Sequence, residues 1–108
     1  MLPGIKLFDL TGRAAIITGG SKGLGAAMAE GLASAGANVL LVSRNFDEAQ
    51  AAADEIASSY GVKAVAIAAD VSNPQDVDAM VTKAIDEFGQ IDILFNNAGI
   101  NIRGPIDE

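Results

Sequence analysis

The 108-residue sequence contains neither cysteine nor histidine. Without cysteine there is no disulfide framework and no thiolate metal site. Without histidine, zinc sites and every nucleophile that depends on an imidazole base are excluded as well. We therefore expect no metal centre in this chain.

Basic residues are also scarce, since seven lysines and arginines stand against 14 acids and give a net charge of −7. A general nucleic-acid-binding protein normally carries the opposite sign. No apolar run approaches the length of a membrane span. The first ten residues, which include Pro3, Lys6 and Asp9, lack the apolar centre of a signal peptide. We expect a soluble, cytoplasmic protein with no nucleic-acid or membrane partner.

Short apolar runs alternate with amphipathic segments along the whole chain. The runs, which are typical of strands buried on both faces, are Ala14–Thr18, Val39–Ser43, Lys63–Ala68 and Ile91–Phe95. Between them, apolar residues recur at helical spacing in three segments, near 24–35, 46–60 and 77–88. Right-handed crossovers then predict one α/β domain over residues 1–108 with the order β-α-β-α-β-α-β. The expected fold is part of a doubly wound parallel sheet, with strand order 3-2-1-4 and helices on both sides.

Helix-capping signals agree with these boundaries. Asn45 and Glu48 have the spacing of a capping box, and Asn73 precedes a proline at the first helical position. Three glycines follow the predicted helices, where left-handed C-caps occur: Gly36, Gly61 and Gly89.

A glycine-rich turn lies between the first strand and the first helix. It reads Thr18-Gly19-Gly20-Ser21-Lys22-Gly23-Leu24-Gly25, with the spacing G-x-x-x-G-x-G. A helix beginning there directs unpaired N–H groups and the positive end of its dipole at an anion, and the natural ligand is a pyrophosphate. Gly19 suits the left-handed turn, Gly23 permits close approach of the anion, and Gly25 lets the helix pack on the sheet. The alternative is an ordinary strand-to-helix loop.

The end of the second strand carries Ser43 and Arg44, where a dinucleotide site usually places an acid for the ribose 2′-hydroxyl. A hydroxyl and a guanidinium suit a 2′-phosphate instead, and Lys22 adds a second positive charge. The sequence therefore favours NADP over NAD. The alternative for Arg44 and Lys22 is a pair of solvated loop residues.

Two further strand ends meet the same edge of the predicted sheet. Asp70-Val71 follows the third strand, and Asn96-Asn97-Ala98-Gly99 follows the fourth. These loops are expected to converge on one crevice with the glycine turn. Asp70 is placed to accept a hydrogen bond from an adenine amino group, or else it is a loop-capping acid. The asparagines either face the ligand or anchor backbone.

Together, these three motifs resemble those of the short-chain dehydrogenase/reductase family, and the resemblance covers Leu10 to Gly99. It implies a Rossmann-like fold in which the glycine turn holds the cofactor pyrophosphate and Asp70 faces adenine. It also implies that Ala98 and Gly99 pass beside the adenosine ribose while Asn96 and Asn97 steady the sheet. The predicted cofactor-binding residues are Gly19, Ser21, Lys22, Gly23, Leu24, Gly25, Ser43, Arg44, Asp70, Val71, Asn97, Ala98 and Gly99. Residues 97–105 look like those of members that act on sugar acids or 3-oxoacyl thioesters.

The family's catalytic serine and Tyr-x-x-x-Lys pair come after the asparagine motif, and this sequence ends at Glu108. Its one tyrosine, Tyr60, is followed four residues later by Ala64. We expect the cofactor-binding portion of an NADP-dependent oxidoreductase that acts on CH–OH groups, inactive by itself. The alternative is a stand-alone or engineered nucleotide-binding or structural fragment. The apolar fourth strand would form an open sheet edge, which predicts self-association.

Overall fold

A computed structural model of the protein describes residues 9–19 and 22–97. Four strands alternate with three helices in the predicted order. The elements are β1 (Ala14–Thr18), α1 (Gly23–Ser34), β2 (Asn38–Ser43), α2 (Phe46–Tyr60), β3 (Ala64–Ala68), α3 (Pro74–Phe88) and β4 (Ile93–Asn96).

The four strands form one parallel sheet with the order β3-β2-β1-β4, which confirms the predicted topology. In the central register, Ile16 of β1 lies beside Leu40 of β2 on one side and Leu94 of β4 on the other. Because all strands run the same way, their carboxyl ends meet at one edge of the sheet.

Helices cover both faces of the sheet. On one face, α1 and α2 pack small residues such as Ala29 and Ala53 against Ile17 and Leu41. On the other face, α3 packs Met80 against Leu40. The two central strands supply the large fully buried side chains, each contributing about 1.5–3 kcal/mol of burial free energy. The core therefore fixes β1 and β2 most firmly.

Strand boundaries differ from the prediction where side chains replace ladder hydrogen bonds. β4 begins at Ile93 rather than Ile91, and Asn96 belongs to the strand rather than to the following loop. Just before β4, the Asp92 carboxylate accepts a hydrogen bond from the Ala14 N–H at 2.9 Å. Similarly, β3 begins at Ala64, because the Lys63 N–H donates to Asn38 Oδ1. The prediction that all four strands are buried on both faces is wrong for β3 and β4, which lie at the sheet's edges and are partly exposed.

The caps at α2 and α3 are confirmed with one exception, whereas the C-cap of α1 is Ala35, and Gly36, with a φ of +103°, follows it. Asn73 accepts from the N–H groups of Gln75 and Asp76, and the glycines after α2 and α3 are left-handed. The capping box at α2 is only half formed. Asn45 Oδ1 accepts from the Glu48 N–H at 3.2 Å, but the Asn45 N–H donates to Ser43 Oγ and not to the Glu48 side chain.

Within residues 9–19 and 22–97, no helix combines the length and apolar character that crossing a bilayer requires. The same residues contain no group of three acidic side chains placed to hold a metal ion.

Candidate functional site

A cleft of about 850 Å³ opens at the carboxyl edge of the sheet. The ends of all four strands and the starts of α1 and α2 contribute to it, and its volume lies within the range usual for small-molecule sites. The described residues that line it are Gly19, Lys22, Val42, Ser43, Arg44, Asn45, Glu48, Ala69, Asp70, Val71, Ser72, Asn96 and Asn97.

The glycine turn forms one wall of this cleft. Gly19 has a φ of +68°, the left-handed conformation that the sequence predicts, and its N–H donates to the Val42 carbonyl at 2.7 Å. Gly23 also has a positive φ, and a Cβ there would meet no atom of the described residues within 4 Å. Residues 20 and 21 of this turn lie outside the described residues, and the pyrophosphate contact stays a prediction.

Gly25 lies at the tightest contact of the turn. A Cβ at this position would collide with the Gly19 carbonyl oxygen and would lie 2.9 Å from Asn97 Nδ2. The prediction gave the sheet as the surface against which Gly25 packs. The contact is more specific, because it joins α1 to the end of β1 and to the residue that follows β4.

α1 begins without the side-chain cap that the other two helices have. Its N-cap residue is Lys22, whose side chain makes no capping hydrogen bond, whereas Asn45 and Asn73 cap α2 and α3. The first N–H groups of any helix lack intrahelical partners. At α1 they lie beside the cleft, together with the positive end of the helix dipole.

Both cationic side chains of the cleft are exposed to solvent. Arg44 follows β2 directly and is exposed at the cleft wall. Lys22 Nζ lies 3.3 Å from Glu48 Oε2, with 75% of the lysine side chain and 38% of the glutamate side chain accessible. The predicted pair of cations is thus present, but Lys22 already forms an ion pair with a carboxylate.

Asp70 organises its own loop. Its Oδ1 accepts from the Ser72 N–H at 2.9 Å and from the Ser72 hydroxyl at 2.6 Å. These hydrogen bonds hold the pKa of Asp70 below its usual value, the hydroxyl contributing most, while nearby Arg44 lowers it slightly further. The Asp70 N–H donates to Asp76 Oδ2 at 2.8 Å, which ties the loop to α3. One carboxylate oxygen therefore serves the loop-capping role; the adenine contact stays a prediction.

The asparagines anchor the strand ends. Thr18 Oγ1 donates to Asn96 Oδ1 at 2.8 Å, and Asn97 Nδ2 donates to the Gly19 carbonyl at 3.4 Å. These contacts join β4 to β1 and to the glycine turn, as the anchoring interpretation predicted. Contact of Asn97 with a ligand remains a prediction.

Among the predicted site residues, Gly19, Lys22, Ser43, Arg44, Asp70, Val71 and Asn97 line one cleft. Gly23, Leu24 and Gly25 form the adjoining first turn of α1, where the Leu24 side chain is 60% exposed. Ser21, Ala98 and Gly99 lie outside the described residues. The predicted site residues leave out six of the described lining residues: Val42, Asn45, Glu48, Ala69, Ser72 and Asn96. Glu48 was detectable, since its position in the first turn of α2 places it at the same edge as Arg44.

Known proteins share both this sequence and this fold. Residues 13–108 match the family described as short chain dehydrogenase. The L-rhamnose 1-dehydrogenase (NADP(+)) of Thermoplasma acidophilum is 45% identical over 94 residues, covering 87% of this chain and 37% of the relative. The 2-dehydro-3-deoxy-D-gluconate 5-dehydrogenase of Formosa agariphila is 42% identical over 107 residues, covering 96% and 39%.

Among solved structures, the L-sorbose reductase of Gluconobacter frateurii, complexed with NADPH and L-sorbose, superposes with a TM-score of 0.83. It is 41% identical, and the match covers 92% of this chain and 38% of the reductase. The chain therefore spans less than two-fifths of the length of these relatives. The family match extends over nearly all of the chain, and the chain belongs to the short-chain dehydrogenase/reductase family.

Proposed function

We propose that this chain binds NADP(H) in the cleft at the carboxyl edge of its sheet. The observation that carries the proposal is the convergence of seven predicted residues, from all four strand ends, on one cleft with two cations in its wall. In open α/β sheets, ligands bind in the crevice outside the carboxyl ends of the strands.

The residues present suit the parts of this cofactor. The turn at Gly19 and the N-terminus of α1 offer N–H donors to the pyrophosphate, and Gly23 leaves space beside it. Arg44, Lys22 and Ser43 offer donors to the 2′-phosphate. Asp70 and Val71 form the wall assigned to adenine, and Ser21, Ala98 and Gly99 are assigned to the cofactor by the sequence motif alone.

Two similar proteins support the choice of cofactor. The Thermoplasma relative is named for NADP(+), and the Gluconobacter reductase was crystallised with NADPH. When bound, NADP(H) carries the hydride, and the protein supplies binding and orientation.

We further propose that the chain is the cofactor-binding part of an oxidoreductase acting on CH–OH groups, and that these 108 residues alone do not turn over substrate. Tyr60, the single tyrosine, ends α2, about 22 Å from the helix start that lines the cleft. It is too remote to transfer a proton to a substrate carbonyl beside the cofactor. The isolated chain is expected to bind NADPH without oxidising it in the presence of sugar or 3-oxoacyl carbonyl substrates.

Calorimetric titration with NADP and NAD tests the cofactor assignment. The wild-type chain should prefer NADP, and Arg44→Asp should reverse that preference, because it replaces phosphate donors with a carboxylate that accepts from a ribose hydroxyl. Loss of the charged hydrogen bonds should cost about 1.5–3 kcal/mol of NADP binding free energy.

Arg13→Asp is the matched control, since Arg13 pairs with Asp92 near the opposite, amino-terminal end of the sheet. That variant should leave the preference between the two cofactors unchanged. Equal affinities for NADP and NAD both before and after the Arg44 change would refute the assignment.

We also propose that the chain associates with itself through β4. This strand is an edge of the sheet, and its Leu94 side chain is 60% exposed. An apolar strand at the edge of a sheet is a template for pairing with another strand.

A further inference from the structure

The ion pair between Lys22 and Glu48 connects the two helix starts across the cleft. Lys22 is the N-cap of α1, and Glu48 lies in the first turn of α2, with 3.3 Å between Nζ and Oε2. The pair involves one of the cations that the proposed function assigns to the 2′-phosphate.

Local hydrogen bonding explains why the Glu48 side chain is available for this contact. In a complete capping box it would accept from the Asn45 N–H. Here Ser43 Oγ accepts that N–H at 3.0 Å, while the Glu48 N–H is held by Asn45 Oδ1. The backbone of Glu48 is thus fixed, and its carboxylate pairs with Lys22 instead of closing the box.

Charge balance gives this pairing a consequence for binding. The described lining of the cleft carries two cations, Lys22 and Arg44, and two carboxylates, Glu48 and Asp70. A phosphate monoester brings a charge of about −1.5 to −2 at pH 7. A 2′-phosphate that forms an ion pair with Lys22 must displace the Glu48 carboxylate from it. A ribose 2′-hydroxyl carries no charge, so its binding does not depend on breaking the Lys22–Glu48 pair.

We propose that Glu48 is a specificity-determining residue that weakens binding of the 2′-phosphate by competing for Lys22. This inference rests on the proposed binding of NADP(H) in the cleft. Glu48 thereby lowers the affinity for NADP and leaves the affinity for NAD unchanged, so the difference between the two affinities becomes smaller. Because solvent reaches both side chains, and most of the lysine, the effect is modest, corresponding to about two- to fivefold in affinity.

Titration with adenosine 2′,5′-bisphosphate and with 5′-AMP isolates this effect. Both Glu48→Gln and Glu48→Ala should tighten binding of the bisphosphate by about two- to fivefold and leave 5′-AMP unchanged. Asp47→Asn is the matched control, because it removes the same charge from the same helix turn at a residue that does not line the described cleft. It should change neither affinity, and circular dichroism should report equal helix content in all three variants.

Glu48 could weaken binding by competing with the 2′-phosphate for Lys22 or by repelling the phosphate directly. The Lys22→Met variant separates these two mechanisms. If Glu48 acts through Lys22, adding Glu48→Gln to Lys22→Met should produce no further gain. An equal gain in both backgrounds, an equal gain for 5′-AMP, or no gain at all would overturn the inference. Failure of the wild-type chain to bind either nucleotide would instead overturn the proposed function itself, and this inference with it. Normal preference for the bisphosphate without a Glu48 effect would leave the proposed function intact.

Discussion

Gly25 illustrates how a missing side chain determines the shape of the site. Its Cα faces the Gly19 carbonyl so closely that a methyl group would collide with it. The first turn of α1 can therefore reach the ends of β1 and β4 only if residue 25 is glycine. This contact sets where the uncapped helix start lies relative to the cleft.

Gly25→Ala is expected to lower the free energy of unfolding by about 1–3 kcal/mol, because the added methyl group forces backbone atoms apart. Urea denaturation measures this change. Gly31→Ala is the matched control in the same helix, since a Cβ there meets nothing within 4 Å. It should stabilise the chain by about 0.5–1 kcal/mol, as glycine is a poor helix former. Equal effects of the two substitutions would contradict the packing assigned to Gly25.

The sequence predicts the place of a single residue in the site when both the chemistry of that residue and its spacing from a strand are distinctive. Arg44 directly follows a predicted strand, and Gly19 needs a left-handed turn, so both assignments depend on local spacing. The ion pair of Glu48 could not be predicted in the same way. It depends on which acceptor takes the Asn45 N–H, and the sequence offers both Ser43 and Glu48 for that role.

Among the secondary-structure elements, β4 is the most exposed part of the sheet. Within residues 9–19 and 22–97 it pairs with β1 alone, and its burial alternates between partly buried Ile93 and Phe95 and exposed Leu94 and Asn96. An apolar strand at the edge of a sheet is a template for pairing with another chain, and this is the basis of the proposed self-association.

Leu94→Lys is expected to shift the chain toward monomer, because charge on an edge strand opposes edge-to-edge pairing. Sedimentation velocity over a range of concentrations measures the change. Val81→Lys on α3, which also replaces an exposed apolar residue, should leave association unchanged. Wild-type chain that remains a folded monomer at high concentration would contradict the proposal.

The order and type of the elements were predictable because apolar periodicity switches clearly between strand and helix. Their ends were less so. β4 begins two residues late because the Asp92 carboxylate, and not a ladder partner, takes the Ala14 N–H. β3 begins late because the Asn38 side chain accepts from Lys63. Such side-chain substitutes for ladder bonds leave no periodic signal in the sequence.

For the molecule as a whole, the Asp92 hydrogen bonds and the cleft proposed for the cofactor lie at opposite ends of the sheet. The amino-terminal end is fastened by Asp92, whose carboxylate accepts from Gln90 Nε2 at 2.6 Å, Ala14 N–H at 2.9 Å and Arg13 Nη1 at 3.4 Å. The carboxyl-terminal end forms the cleft. Contacts between residues 78 or 79 positions apart join β1 to β4 at both ends of the sheet, through Asp92 at the amino-terminal end and through Asn96 and Asn97 beside the cleft.

Low pH should weaken the hydrogen bonds that the Asp92 carboxylate accepts. Its pKa is held below the usual value, first by the Gln90 hydrogen bond and then by the Ala14 N–H. The contribution to folding stability is therefore complete above about pH 4 and is lost as pH falls through the lowered pKa. Asp92→Asn should lower the urea midpoint at pH 7, and the difference from wild type should shrink below pH 3.

Asp86→Asn, on the exposed face of α3, is the control and should lower the midpoint little at pH 7. A difference between wild type and Asp92→Asn that stays constant from pH 7 to pH 2 would contradict the role given to the carboxylate.

The parallel topology was predictable as a whole because right-handed crossovers leave one arrangement for this order of elements. That the predicted site residues share a cleft follows from the same rule. What the topology does not determine is how each polar side chain divides its hydrogen bonds. Asp70 shows this, since Ser72 takes one of its oxygens within the loop.

The most direct test of the central claim is an NMR titration of the ¹⁵N-labelled 108-residue chain with NADP. Binding of NADP in the cleft should change the chemical shifts of Gly19, Lys22, Arg44 and Asp70. The shifts of Lys63, Gln90 and Asp92, at the other end of the sheet, should stay unchanged. Shift changes confined to that other end, or no changes at saturating NADP, would contradict it.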